Sequence, residues 1–173
     1  ENELGYSLPD SPTRRVGGEP VAAFASVTHK GRLYSLDKAQ SIEEVYAWYE
    51  RVKKLILQYE NETGEKLPPI EVVLEYKFDG LTINLTYSDG ILVQAATRGN
   101  GITGEVITEQ VKTIRSVPLT IDYKGLIEIQ GEGLMRKSVL TKLNETSEGA
   151  LKNERNAAAG ALRNLDPRIT ASR

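Results

Sequence analysis

Val45, Trp48, Tyr49, Val52, Leu55, Ile56 and Tyr59 recur at helical spacing and predict one amphipathic helix with a single apolar stripe. Its start is marked by Ser41-Ile42-Glu43-Glu44, a capping box in which the serine hydroxyl and the Glu44 carboxylate satisfy orphan N–H groups. Gly64, Pro68 and Pro69 end it. From Ile70 the period falls to two. Val72, Leu74, Tyr76 and Phe78 share one face, and Val73, Glu75, Lys77 and Asp79 the other, so the pattern predicts a strand beginning here. Leu81, Ile83, Leu85 and Tyr87 continue the alternation, Ser88-Asp89-Gly90 is a turn, and residues 91–95 return as a hairpin partner.

The stretch ATRGNGITGE (95–105) reads as a glycine-rich loop in close contact with something, followed by a short helix around 106–115. A second strand over 126–132 places Glu128, Gln130 and Glu132 on one face. Ser138 caps a predicted helix running to about 144, and the alanine-rich NERNAAAGALRNLDPR is helical up to Leu165. Residues 1–40 show no lasting periodicity and carry Pro9, Pro12, Gly17, Gly18, Pro20 and Gly31, which reads as an extended connector before a domain at 41–173. Helices and hairpins in no strict βαβ order predict an α+β class, mainly antiparallel sheets with flanking helices.

Composition narrows this only a little. At 173 residues, 39% hydrophobic and 27% charged, the chain is an ordinary globular domain with room for a core. The net charge of −2 is unevenly spread: residues 152–173 hold five basic and two acidic side chains, hence +3, leaving −5 for the first 151. A phosphate-binding surface would lean towards the C-terminus. The absence of cysteine excludes disulfides and thiolate zinc sites and suits a reducing cytoplasm. There is no apolar run of membrane-spanning length. A chain that opens Glu1-Asn2-Glu3, with its one methionine at Met135, reads as part of something longer.

Why should EYKFDG (75–80) carry Glu75, Lys77 and Asp79 along a strand? One reading is a solvated outer face with cross-strand ion pairs. The other is a nucleophilic lysine. An amine attacks phosphorus only without its proton, which near neutral pH needs burial or neighbouring cations. The adjacent carboxylates oppose this, so extra positive charge is required: Mg²⁺, an arginine or a second lysine. Arg98, just after the hairpin, is a fitting candidate.

KFDG matches the Lys-x-Asp-Gly signature of the covalent nucleotidyltransferases, the superfamily of DNA ligases, RNA ligases and mRNA capping enzymes. Three fixed residues arise by chance in roughly one chain in thirty of this length, so the signature alone is weak. The surrounding segments are what give it weight. PDSPTRRVGGEP (9–20), LYSLDKAQS (33–41), the long run 75–105, TIRSVPL (113–119), IQGEG (129–133) and RNAAAGALRNLDPRIT (155–170) occur in order. Together they closely resemble the adenylation domain of bacterial NAD⁺-dependent DNA ligases, over nearly the whole chain.

The resemblance implies the covalent nucleotidyltransferase fold of DNA ligases and mRNA capping enzymes. It implies that Lys77 attacks the α-phosphorus of NAD⁺, releasing nicotinamide mononucleotide and leaving lysyl-AMP. The AMP would pass to the 5′-phosphate of nicked double-stranded DNA, sealed by the 3′-hydroxyl. Asp79 would assist the chemistry and its Mg²⁺, and Gly80 would let backbone approach the nucleotide. Glu75 matches the residue contacting adenosine, Glu132 the one on the ribose, and Arg98 one at the phosphates. Ser35 and Leu36 match a stretch lining the NAD⁺ pocket. Arg155 and Arg163 match positions used on AMP or the nick, where arginine is the usual phosphate clamp. A soluble cytoplasmic monomer is implied.

Four features depart from the family pattern: Asn100 replaces aspartate, Gly133 a larger apolar residue and Glu154 a proline, and the usual Pro-Met before Ser35-Leu36 is lacking. His29, the sole histidine, is assigned to packing or hydrogen bonding. The family's N-terminal NAD⁺-binding subdomain, from which 1–40 would be the connector, and its later lysine-bearing motifs lie outside this sequence. The 173 residues alone are therefore expected not to form lysyl-AMP at a useful rate. An ATP-dependent ligase, a capping-type enzyme and a degenerate module that binds nucleotide or DNA without turnover are the alternatives.

Overall fold

The computed structural model describes residues 8, 10–15, 23–146 and 151–173. Much of the expected connector, including Pro9, Gly17, Gly18 and Pro20, lies outside them. The chain divides into two compact units, residues 34–76 and the remainder.

In the larger unit the sheet order is β3-β2-β5, with β2 at Leu81–Ser88, β3 at Ile91–Thr97 and β5 at Leu126–Gly133, all antiparallel. The β2–β3 hairpin turns where the sequence asks for it. Asp89 and Gly90 both take positive φ, 49° and 85°, as a two-residue hairpin turn requires. The central strand β2 is covered on both sides. Ile83, Leu85 and Tyr87 join Ile107, Val111, Val117, Leu119 and Leu162 in the core. On the opposite face Asn84 and Thr86 are buried too.

A two-stranded sheet pairs β1, Ser26–Thr28, with β4, Thr103–Glu105. The expected connector thus contributes a strand, and the expected loop 95–105 ends in its partner. A 3-10 turn at Pro12–Arg15 is tied down where the Arg15 guanidinium donates to the carbonyls of Ile114 and Val117, each at 2.9 Å.

Helix α2 is shorter than predicted, Thr108–Lys112. Helix α3 spans Lys137–Thr146, so Ser138 sits inside its first turn rather than capping it. The alanine-rich segment divides: α4, Glu154–Leu162, begins at an Asn153 cap, and Asp166 caps α5, Pro167–Ala171. The predicted run to Leu165 stops early because Asp166-Pro167 starts a new helix, its proline at a position that lacks only an orphan N–H. Glu154, the departure from proline, lies in the first turn of α4, where its charge suits the helix dipole.

The strand predicted from Ile70 does not form: residues 69–79 lie outside every strand, and Val72, Val73, Leu74 and Tyr76 are exposed. The reason lies in the ladder. Pairing starts at Leu81↔Gly133, where β5 ends, and on the other side at Ile83↔Thr97. Alternation supplies a face, but only a partner makes a strand.

The smaller unit, residues 34–76, contains α1 at Ile42–Thr63. The capping box forms with one shift: Ser41 accepts from the Glu44 N–H, while the Glu44 carboxylate takes the N–H of Gln40 at 2.6 Å. Gly64 closes the helix at φ 73°. The stripe is amphipathic as predicted, and no residue of α1 is buried.

Candidate phosphate site

The glycine-rich loop after β3 is built by its own backbone. Gly99 and Gly101 take positive φ, and the Gly101 N–H returns to the Arg98 carbonyl at 3.0 Å. Asn100 Oδ1 accepts three bonds, from the N–H groups of Ile102 and Thr103 at 2.9 and 2.8 Å and from the Thr103 hydroxyl at 3.2 Å. The departure from aspartate therefore removes a charge and keeps the acceptor that shapes the loop. His29 is buried and holds the loop from behind. Its Nε2 donates to the Arg98 carbonyl at 3.2 Å, and Nδ1 accepts from Asn84 at 3.3 Å. The packing and hydrogen-bonding role read for this histidine is the one observed.

Helix α4 brings the other cations. Ala157, Ala158, Ala161 and Leu162 are buried, so its small side chains let it lie close to the sheet. A Cβ at Gly133 would come 2.9 Å from Leu162 Cδ1, so a larger side chain there would require the end of Leu162 to move. The helix carries Arg155 near one end and Arg163 just past the other. Arg155 Nη1 donates to Asp79 Oδ1 at 3.0 Å. Arg163 grips Glu105 twice, through Nε at 2.7 Å and Nη2 at 2.9 Å. Those bonds, then the carboxylate's charge, push the Arg163 pKa above its ordinary value, against a small opposing effect of burial. It stays cationic at any accessible pH.

Arg98, Arg155 and Arg163 line one cleft of about 480 Å³, together with Thr82, Gly99 and Glu105. Three guanidinium groups, one carboxylate and a backbone bent by glycine suit a phosphate-bearing ligand.

The remaining predicted residues are placed as follows. Gly80 is buried, and a Cβ there would collide with the Gly133 carbonyl, so only glycine lets β2 start beside the end of β5. Glu132 faces Thr82 across the ladder and accepts from its hydroxyl at 3.1 Å. It does not line the arginine cleft; it borders a second one of about 610 Å³ with Leu134, Met135 and Arg136. Glu128, on the same face, accepts from the N–H groups of Lys30 and Gly31 at 3.2 and 3.5 Å.

Lys77 and Phe78 are exposed, and Lys77 stands four residues before β2 rather than on a rigid strand. Burial, one of the two routes to a nucleophilic lysine, is not supplied by the described residues. The cationic route has a component in Arg155, bonded to the carboxylate two residues along. Ser35, Leu36 and Glu75 belong to the smaller unit, and all three are exposed. Leu36 borders a cleft there with Val45, Trp48 and Arg51. Among the described residues no group of three His, Cys, Asp or Glu side chains could hold a metal. Sequence reasoning missed Glu105 and Thr82; the alternation of 81–87 held the signal for Thr82, and Glu105 had none.

These features define an α+β domain with an arginine-lined cleft. The family model for the NAD-dependent DNA ligase adenylation domain matches residues 21–173, and the chain belongs to that family. It is 57% identical over its full length to a DNA ligase of Alkaliphilus metalliredigens and 58% to one of Alkaliphilus oremlandii. A DNA ligase of Finegoldia magna is 56% identical, again over the whole chain. The chain spans 25% of the length of the first two relatives and 26% of the third.

Proposed function

We propose that this chain is the adenylyl-transferring part of an NAD⁺-dependent DNA ligase, with the covalent nucleotidyltransferase fold. Family membership supports the reaction. The Lys77 amine forms a bond to the α-phosphorus of NAD⁺ and loses its proton, while the bond to the nicotinamide mononucleotide breaks. The AMP then moves to the 5′-phosphate of nicked duplex DNA, and the neighbouring 3′-hydroxyl displaces it. The protein works as a cytoplasmic monomer; among the described residues no helix is long and apolar enough to cross a membrane.

The observation that carries this reading is the Asp79–Arg155 ion pair. It joins the lysine signature to the arginine helix and so to the cleft with Arg98 and Arg163. Arg98, Arg155 and Arg163 bind phosphates of NAD⁺ or the nick. Gly80 admits the nucleotide's close approach, Glu132 takes a ribose hydroxyl, Glu75 contacts adenosine, and Ser35 and Leu36 line the NAD⁺ pocket. Mg²⁺ is compatible with these residues, because it commonly needs one or two carboxylates plus substrate phosphates rather than a protein cage, and Asp79 is an exposed carboxylate beside Lys77. When bound, it neutralises charge on the phosphates.

Intact-mass measurement of the ligase carrying this chain, incubated with NAD⁺ and Mg²⁺, tests the proposal. A gain of one AMP, lost in Lys77→Ala, is expected; a gain from ATP in place of NAD⁺ would move it to the ATP-dependent branch. The 173 residues alone are expected to gain none, because Lys77 lacks a buried setting. No adduct in the longer protein, with nick binding retained, would leave a DNA-binding module without turnover.

A further inference from the structure

A carboxylate in an anion-binding cleft works against affinity, yet Glu105 lines the same cleft as Arg98, Arg155 and Arg163. Its backbone is held on two sides. Glu105 is paired with Ser26 in the β1–β4 ladder, and its N–H donates to the Thr97 hydroxyl at 3.0 Å. The carboxylate is thus presented from a fixed point.

Arg163 is in the opposite situation. It is the C-cap of α4, outside the helix proper, and its side chain is 56% exposed. A long side chain in that position has many rotamers, and packing does not select one. The two bonds to Glu105 do. They use Nε and one hydrogen of Nη2, leaving three of the five guanidinium donors, two of them side by side along the Nη1–Nη2 edge. That edge has the fork geometry that meets a phosphate with two parallel bonds.

We propose that Glu105 is a positioning residue: it fixes the Arg163 guanidinium so that its remaining edge is held ready for a phosphate in the cleft, without touching the phosphate itself. This rests on the reading of the cleft as a phosphate site. The ion pair is too exposed to matter much for stability, so its effect falls on binding.

The test uses the full-length ligase with Glu105→Gln, Glu105→Asp and Arg163→Ala. Three quantities are read: the KM for NAD⁺ in adenylation, the Kd for a nicked duplex ending in 5′-phosphate against the same nick ending in 5′-hydroxyl, and the thermal midpoint. Glu105→Gln keeps one acceptor but loses the charge and the second bond. It should weaken phosphate-dependent binding about tenfold with little change in kcat at saturation, while the thermal midpoint stays within a few degrees. Glu105→Asp, which keeps the charge and both oxygens, should recover part of the loss, and Arg163→Ala should lose at least as much as Glu105→Gln. A raised KM for NAD⁺ assigns the phosphate to the dinucleotide; a loss confined to the 5′-phosphate duplex assigns it to the nick. Unchanged or tighter binding by Glu105→Gln, or losses that follow the thermal midpoint, would overturn the proposal. Absence of any AMP adduct in the parent ligase would sink the ligase reading instead, and the duplex arms would still decide the role of Glu105.

Discussion

Arg155 Nη1 stands 3.0 Å from Asp79 Oδ1, a contact between residues 76 positions apart. It ties the aspartate of the KFDG signature, two residues along from Lys77, to the alanine-rich helix.

That pair predicts a separation of activity from stability. Both side chains are more than half exposed, at 59% and 74%, so Asp79→Asn should cost roughly 0.2–1 kcal/mol of folding free energy. Adenylation in the full-length ligase should fall at least about tenfold, and Arg155→Lys should not substitute for arginine, because an ammonium lacks the planar fork. Intact-mass time courses alongside thermal melts check both; equal losses in the two would argue that the pair is only structural.

Gly104 should be intolerant of any side chain. A Cβ there would overlap the Thr97 carbonyl and come 3.1 Å from His29 Nε2. Gly104→Ala is expected to destabilise by about 1–3 kcal/mol through forced backbone shift. Gly160 is the opposite case: it lies within α4 with nothing within 4 Å of its would-be Cβ. Gly160→Ala should stabilise by roughly 0.5–1 kcal/mol. Chemical denaturation of the two variants should move the midpoint in opposite directions.

Tyr87 gives the fold an alkaline limit. It is 1% exposed and donates its hydroxyl to the Pro118 carbonyl at 2.8 Å. Burial raises its pKa above the ordinary 10.0, with the Arg15 charge pulling the other way. The folded pKa exceeds the unfolded one, so this contribution is complete below the unfolded value and is lost as pH rises through the folded value. Tyr87→Phe should cost about 1 kcal/mol at neutral pH and flatten the alkaline decline. Melts recorded from neutral pH to beyond 10.0 would show it; an unchanged slope in the variant would contradict it.

Asn100 should accept aspartate and refuse alanine. Asp keeps the oxygen that receives the Ile102 and Thr103 N–H groups, whereas Ala gives these exposed groups over to water, at about 0.5–1.5 kcal/mol. Thermal melts of the two variants, read together, distinguish a loop-shaping acceptor from a spectator.

What the sequence revealed follows the range of each interaction. Both ends of α1 were legible, because Ser41, Glu44 and Gly64 act within a turn of themselves. The Asp89-Gly90 turn and β5 were legible for the same reason. The false strand over 70–79 had the right alternation but no ladder beside it. Strands β1 and β4 are three residues each, too short for a period, and exist because each has the other. Within the site, the resemblance named Arg98, Arg155 and Arg163. That Arg163 would meet Glu105, 58 positions away, is a product of tertiary packing alone.

The buried alanines of α4 also decide where two charges start from. They seat the helix against the sheet, so that Arg155 leaves its first turn towards Asp79 and Arg163 leaves its C-cap towards Glu105. Uncharged side chains thereby set the anchor points of charged ones.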